Sequence, residues 1–193
     1  MKNILPKSAL ISLSDKTSLD LLVSFLLERN VEIISTGGTY KAIKKITNNV
    51  MEVSEYTGHK EMMGGRVKTL HPKIHAGILA RRGEDTDILK SMDYKEIDIV
   101  VVNLYPFEET INSGCSFEEA IEQIDIGGPT MIRAAAKNFK DVLVLSDPSD
   151  YEEMISEWDS KNGISYEFRK KQAAKVFKKM SQYNRAIHQY MDS

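Results

Sequence analysis

A single cysteine, Cys115, stands in 193 residues. One thiol cannot close an internal disulfide or supply the repeated thiolates of a Cys-rich zinc site, so the chain suits a reducing cytosol. Long apolar runs are also missing. No segment approaches the roughly 18 consecutive apolar residues of a membrane span. Residues 1–13 mix Lys2, Pro6, Lys7 and Ser8 among their apolar positions, unlike a secretory signal. A soluble, cytoplasmic protein is expected. Neither sign of charge dominates: 26 Lys and Arg against 28 Asp and Glu leave a net charge of -2, so no whole-chain field gathers nucleic acid or an acidic membrane surface. Any anion must be held locally. Four well-known signatures are absent as well: G-x-x-x-x-G-K-[ST], G-x-G-x-x-G, H-E-x-x-H and G-x-S-x-G. A triphosphate P-loop, a dinucleotide fingerprint, a zincin helix and a nucleophile elbow therefore lack support.

What is present is an ordinary globular mixture, 41% hydrophobic and 28% charged, at about the length of one domain. Residues 1–193 are expected to form that single domain. Short β-rich runs at 9–13, 31–34, 50–53, 97–102 and 142–145 alternate with helical spacing, first in Leu19, Leu22, Val23, Leu26 and Leu27. Residues 40–46 read as a short helix after the Gly37-Gly38 break. Ser116 and Glu119 form a capping box, and Asp147-Pro148 opens a helix bearing Tyr151, Met154, Ile155 and Trp158 on one face. A C-terminal helix spans 165–191, with Val176, Met180, Tyr183, Ile187 and Tyr190 on one side and Lys170, Lys171, Lys175, Lys178 and Lys179 at solvated positions. Strand–helix alternation with right-handed crossovers predicts an α/β fold, a doubly wound, mainly parallel sheet of about five strands with helices on both faces.

In such a sheet ligands bind beyond the carboxyl ends of the strands, where helix N-termini favour anions. Four loops belong to that edge: Ser14-Asp15-Lys16-Thr17, Thr36-Gly37-Gly38-Thr39, Asn103-Leu104-Tyr105-Pro106, and Asp125-Ile126-Gly127-Gly128-Pro129-Thr130. The second offers two glycines and two hydroxyls just before a helix, a natural seat for one phosphate, with Lys16, Arg66 and Lys68 as nearby cations. Residues 56–78 are rich in Gly, His, Lys and Arg with little periodicity, and read as a long irregular, functional segment. His71 and His75 are four apart, but Pro72 between them argues against a regular helix presenting both to a metal. Cys115 has no nearby His and reads as a simple thiol. Tyr105, Asp125 and Lys137 are side chains suited to metal-free proton transfer once desolvation and pairing shift their pKa values.

Gly64-Gly65-Arg66-Val67-Lys68-Thr69-Leu70-His71-Pro72, Asn103-Leu104-Tyr105-Pro106-Phe107, Ile124-Asp125-Ile126-Gly127-Gly128-Pro129-Thr130 and Arg133-Ala134-Ala135-Ala136-Lys137-Asn138 occur in this order. Together they resemble the N-terminal domain of the bifunctional purine biosynthesis family, AICAR transformylase/IMP cyclohydrolase. The likeness runs over residues 9–151. Ser18 stands where the family usually has Gly, and His59-Lys60 where it often has Pro; neither change removes a charged group. The resemblance implies a methylglyoxal-synthase-like fold and the dehydrative closure of FAICAR, a formamido-imidazole-carboxamide ribotide, to IMP, with no cofactor and no metal. It implies Asp125 as base, Lys68 and Tyr105 as oxyanion stabilisers and proton relays, and Lys137 as the group protonating the departing hydroxyl. Ser14, Lys16, Thr36, Gly37, Gly38, Thr39, Arg66 and Thr69 would hold phosphate and ribose, and Asn103 and Ile126 the base; Asp15, Val67, Val102 and Gly127 complete the expected binding set. The family's formyl-transfer domain has no counterpart in these residues. A homodimer is the expected assembly, with no nucleic-acid or membrane partner. Methylglyoxal synthase and a ligand-sensing module of the same fold are the alternatives; the blocks at 66–72 and 125–137 argue against the first, and the second would need the phosphate loop but not Lys68, Tyr105, Asp125 and Lys137 together.

Overall fold

Each apolar run becomes a strand within a residue or two of its expected place. The computed structural model describes residues 2–105, 107, 111 and 114–192. Its elements are β1 (Ser8–Leu13), α1 (Leu19–Glu28), β2 (Glu32–Ser35), α2 (Gly37–Ile43), β3 (Met51–Glu52), α3 (Val53–Thr57), α4 (Pro72–Leu79), α5 (Thr86–Ser91), β4 (Ile99–Asn103), α6 (Phe117–Glu122), α7 (Gly127–Lys137), β5 (Leu143–Leu145), α8 (Tyr151–Lys161) and α9 (Tyr166–Met191). The five strands form one sheet in the order β3-β2-β1-β4-β5, and every pairing is parallel.

Strands buried on both faces read as unbroken apolar runs, because alternate side chains serve different cores. Ala9, Ile11, Ile99, Val101, Leu143 and Leu145 pack with Leu22 and Leu26 of α1 and Met154 and Trp158 of α8. Leu10, Val100, Val102 and Val144 face the other way, onto Ile74 and Ile78 of α4, Met131 and Ala135 of α7, and Val176 and Met180 of α9. The helices therefore cover both faces. Among the described residues no helix is long and apolar enough to cross a membrane.

Three local expectations change. The helix placed at residues 40–46 begins at Gly37, so both glycines lie in its first turn. Gly37 carries φ +46°, a conformation open to glycine and strained for other residues. Pro72 does not break the segment that contains it. It occupies the first turn of α4, where its missing N–H costs nothing, and the His71 side chain caps that helix by accepting from the Lys73 N–H at 3.1 Å. Lys175 and Lys179 are only partly solvated: Lys175 reaches Asp150 at 2.7 Å, and Lys179 donates to the Ser146 carbonyl at 2.6 Å. The capping box at Ser116 and Glu119 forms as expected, with both reciprocal hydrogen bonds.

Hydroxyl groups sew the carboxyl ends of β1 and β2 together. Thr39 Oγ1 accepts from the Leu13 N–H at 2.8 Å and donates to the Leu13 carbonyl at 3.0 Å, in a buried position. Thr39→Val keeps the shape and removes both bonds, leaving a buried N–H and C=O without partners. We expect it to lower unfolding stability by about 1–3 kcal/mol in a denaturant titration; an unchanged midpoint would show that water or another group replaces the hydroxyl.

Candidate functional site

The strand order reverses between β1 and β4, so the crevice of this sheet opens where their carboxyl ends diverge. Asn103, the last residue of β4, bridges that point. Its Oδ1 accepts from the N–H groups of Ser14 (2.7 Å) and Asp15 (3.1 Å), and its Nδ2 donates to the Asp15 carbonyl at 2.7 Å. The Asn103 amide thus shapes the Ser14–Lys16 loop. Asp15 in turn accepts from the Thr17 N–H (2.9 Å) and hydroxyl (2.7 Å), which hold its carboxyl below the usual range. Lys16 is exposed, its Nζ 3.1 Å from the Ser14 carbonyl.

Residues 66–69 connect two helix N-termini. A Cβ on Gly37, at the start of α2, would lie 3.0 Å from Lys68 Nζ, so the ammonium rests directly on that turn. A Cβ on Gly127, at the start of α7, would lie 2.7 Å from Thr69 Oγ1. Lys68 and Thr69 are neighbours, so one short stretch of chain spans from the Gly37 turn to the Gly127 turn. The stretch is set by an antiparallel bridge between Met62 and Val67, closed by Gly64 and Gly65 at positive φ. Thr36, Gly37, Glu52, Ser54, His59 and Lys68 line a cavity of about 290 Å³ on this side. Glu61 also lines it and holds the Lys68 ammonium at 2.8 Å.

Asp125 sits beside the same stretch. Its Oδ1 accepts from the Gly128 N–H at 2.9 Å, and its own N–H donates to the Tyr183 hydroxyl at 2.8 Å, which ties the loop to α9. A Cβ on Gly128 would collide with the Asp125 carboxylate, so glycine is required there by close approach. Burial pushes the Asp125 pKa up, against the smaller opposing pull of the Gly128 and Gly127 N–H groups. Leu104 crowds Gly128 as well, and the residue after it, Tyr105, has a half-exposed side chain. Pro106, next in that loop, lies outside the described residues.

The remaining expected residues divide. Arg66 is exposed and paired with Glu122. Ile126 is 56% exposed beside Gly127, whereas Val102 is buried among core residues and offers the crevice only backbone. Gly38 has open space around it, and Thr36 Oγ1 lies 3.0 Å from Ser12 Oγ. Thr39 is already engaged by Leu13. Lys137 stands apart from the other three expected catalytic residues. It ends α7, ten residues beyond Gly127, and at 1.5 Å per residue the helix carries it about 15 Å from the Asp125 end. Its neighbour Asn138 is fixed there by the Ile78 and Ala80 carbonyls at the far end of α4. Lys68 and Asp125 thus lie at the two turns joined by residues 66–69, and Lys137 lies at the opposite end of α7. Sequence reasoning missed Glu61 and Tyr183, whose contacts cross a bend and 58 residues of chain respectively.

Residues 19–130 match the family described as MGS-like domain. The chain belongs to that family. The crystal structure of ForH has the same fold, with a TM-score of 0.82 at 32% identity over 96% of this chain and 99% of that one. Beyond the MGS-like match, residues 135–193 match the AICARFT/IMPCHase bienzyme family. The bifunctional purine biosynthesis protein PurH of Clostridium kluyveri is 54% identical over 185 residues, 95% of this chain. Its counterpart in Fusobacterium nucleatum subsp. nucleatum is 52% identical over 187 residues, 96% of this chain. In both cases the chain spans 37% of the relative's length. The resemblance read from the ordered motifs is therefore met twice, by the MGS-like fold and by the bienzyme relatives.

Proposed function

We propose that this MGS-like domain is an IMP cyclohydrolase, closing FAICAR to IMP. The observation that carries the reading is the stretch 66–69, which sets Lys68 on the phosphate-type turn at Gly37 and Thr69 on the turn that carries Asp125. A ribotide whose phosphate lies at Thr36–Gly38 and Lys16 can extend its base toward Asp125 and Tyr105. The carboxamide nitrogen attacks the formyl carbon of the same molecule, so little translational entropy is lost in the step. Asp125 takes a proton from that nitrogen, and its raised pKa makes it a stronger base than an exposed carboxylate. Lys68 and Tyr105 stabilise the oxygen that develops negative charge. The tetrahedral carbon then loses that oxygen as water: one proton comes from the attacking nitrogen, the second from the formamido N–H, and the ring double bond forms. The anionic substrate displaces Glu61 from Lys68 by competing for the same ammonium.

Lys137 enters this reading from a second copy of the chain. An ammonium on a four-carbon stem cannot cover about 15 Å of helix, so in a homodimer the partner's α7 end would supply it. The longer relatives support a second activity elsewhere in a full-length protein, an AICAR transformylase domain joined to this one in the same cytoplasmic polypeptide.

The test follows FAICAR loss and IMP formation with the purified chain. Acceleration is expected without added metal or folate, and decay at the uncatalysed rate would refute the reading. The phosphate seat makes a separate expectation. Charged hydrogen bonds contribute roughly 1.5–3 kcal/mol each, so removing the phosphate should weaken binding by at least about 100-fold. Calorimetry should show tight IMP and weak inosine; equal affinities would move the phosphate away from Gly37.

A further inference from the structure

A second cavity, of about 490 Å³, opens on the β5 side of the same sheet edge, between the β1–α1 loop and the start of α8. Asp15 and Thr17 form one wall, and Asp147, Ser149, Tyr151 and Glu152 the other. The acidic groups have local structural duties only in part. Asp147 Oδ1 caps the turn after β5, accepting from the Ser149 N–H (3.0 Å) and hydroxyl (2.7 Å). Its other oxygen lies 3.8 Å from Lys175, but that ammonium is closer to Asp150, at 2.7 Å. Glu153 is paired with Lys171. Among the described residues Asp15 and Glu152 have no ion pair, and the Asp15 and Asp147 charges repel each other across the cavity.

The second observation is a hydroxyl. Tyr151 is 1% exposed and lines this cavity, and its Oη has no hydrogen-bond partner among the described residues. Burial first, and then the charges of Asp15, Asp147 and Asp150, push its pKa up, so the phenol stays protonated beside those carboxylates. Helix capping explains acids at the start of α8. It does not explain an acid facing them from the β1–α1 loop, nor a buried phenol left without a partner among the described residues between the two, since buried polar groups normally find partners.

The geometry points to a binding site for an organic polyammonium ion, held by Asp15, Asp147 and Glu152 with Tyr151 Oη accepting from one of its amino groups. A multidentate metal fits less well. Among the described residues no group of three His, Cys, Asp or Glu side chains is arranged to hold a metal ion. Ammonium groups need only hydrogen-bond reach to each carboxylate, and a linked pair of them can satisfy walls too far apart for one ion.

Spermidine is the probe, titrated into the purified chain by calorimetry at physiological salt. Saturable binding of one equivalent is expected. Asp147→Asn should weaken it by about tenfold or more while keeping the cap, because Asn serves that position as well as Asp. Tyr151→Phe removes only the unpaired hydroxyl and should weaken binding several-fold with an unchanged melting temperature. Glu152→Gln, exposed on the first turn of α8, gives a third reading that cannot disturb the core. The site is refuted if wild type shows no saturable binding, or if all three variants bind as wild type does. It is refuted equally if Mg²⁺ at matched ionic strength competes as well as spermidine, which would mean charge screening only. Should the chain self-associate through this face, with Asp147→Asn yielding monomer and spermidine not bound, a basic side chain of a second copy is the occupant and the small-molecule reading falls.

Discussion

Asp125→Asn is expected to lower the rate of FAICAR cyclisation by on the order of 1,000-fold, while the variant melts at or above the temperature of the parent chain. The two effects share one cause. Burial raises the Asp125 pKa above 3.8, so folding favours its protonated form. The stability linked to that proton is full below the unfolded pKa and is lost as pH rises through the folded one; at neutral pH the ionised carboxylate is a liability to the fold. Asn keeps an oxygen for the Gly128 N–H and carries no charge. It cannot accept the carboxamide proton, and a positioned base contributes roughly 100- to 10,000-fold. The same shift sets the pH profile: kcat should fall on the acid side with a midpoint above the ordinary carboxylate value. Stopped assays of purified variant across pH, with thermal melts beside them, check both. Near-normal turnover in the Asn variant would remove Asp125 from the chemistry, and a lower melting temperature would mean the carboxylate is structural.

Lys137→Ala should also cost about 100-fold or more in rate, and here the informative result is complementation. If Lys137 serves the partner's Asp125, a mixed pair of Lys137→Ala and Asp125→Asn chains holds one intact site and one doubly defective site. Random mixing of the two inactive variants should then restore about a quarter of parental activity in a symmetric dimer. Should Lys137 act within its own chain, no mixture gains anything, and α7 would have to bend or unwind to bring it to Asp125. The measurement is an activity titration of one variant with the other, after mild dissociation and reassembly. Size-exclusion chromatography of the parent supplies the assembly that the experiment presupposes.

Local pattern was enough to read much of the fold. Residues 9–13, 97–102 and 142–145 are apolar apart from Ser12 and Asp98, as strands buried on both faces require, and their alternate side chains do feed two cores. The capping box at Ser116 and the 26-residue helix Tyr166–Met191 were legible because their signals lie within a few residues of each other. The helix at Pro72–Leu79 was not, since proline reads as a breaker unless its place in the first turn is known. The inward turn of Lys175 and Lys179 depended on what lay beneath α9. So did Arg169, on the buried side of α9 with its guanidinium donating to the Phe139 and Lys140 carbonyls, at 2.9 Å and 2.8 Å.

For the candidate site the division follows reach along the chain. Composition, spacing and ordered motifs determined an α/β sheet, a loop set suited to one phosphate, and a family. They also named Tyr105, Asp125 and Lys137 by residue type and position, and the family resemblance added Lys68. Tertiary structure decided which groups have free atoms and which meet. Thr39 and Asn103 read as ligand donors in the sequence, and in the fold both side chains also satisfy backbone groups at the end of β1, 26 and 88 or more residues away. Lys137 is near Asp125 in sequence, and a rigid helix of 1.5 Å per residue carries it away. Lys68 and Asp125 are 57 residues apart in sequence and are linked because Thr69 packs on Gly127, a contact that exists only once the sheet has aligned the two helix N-termini.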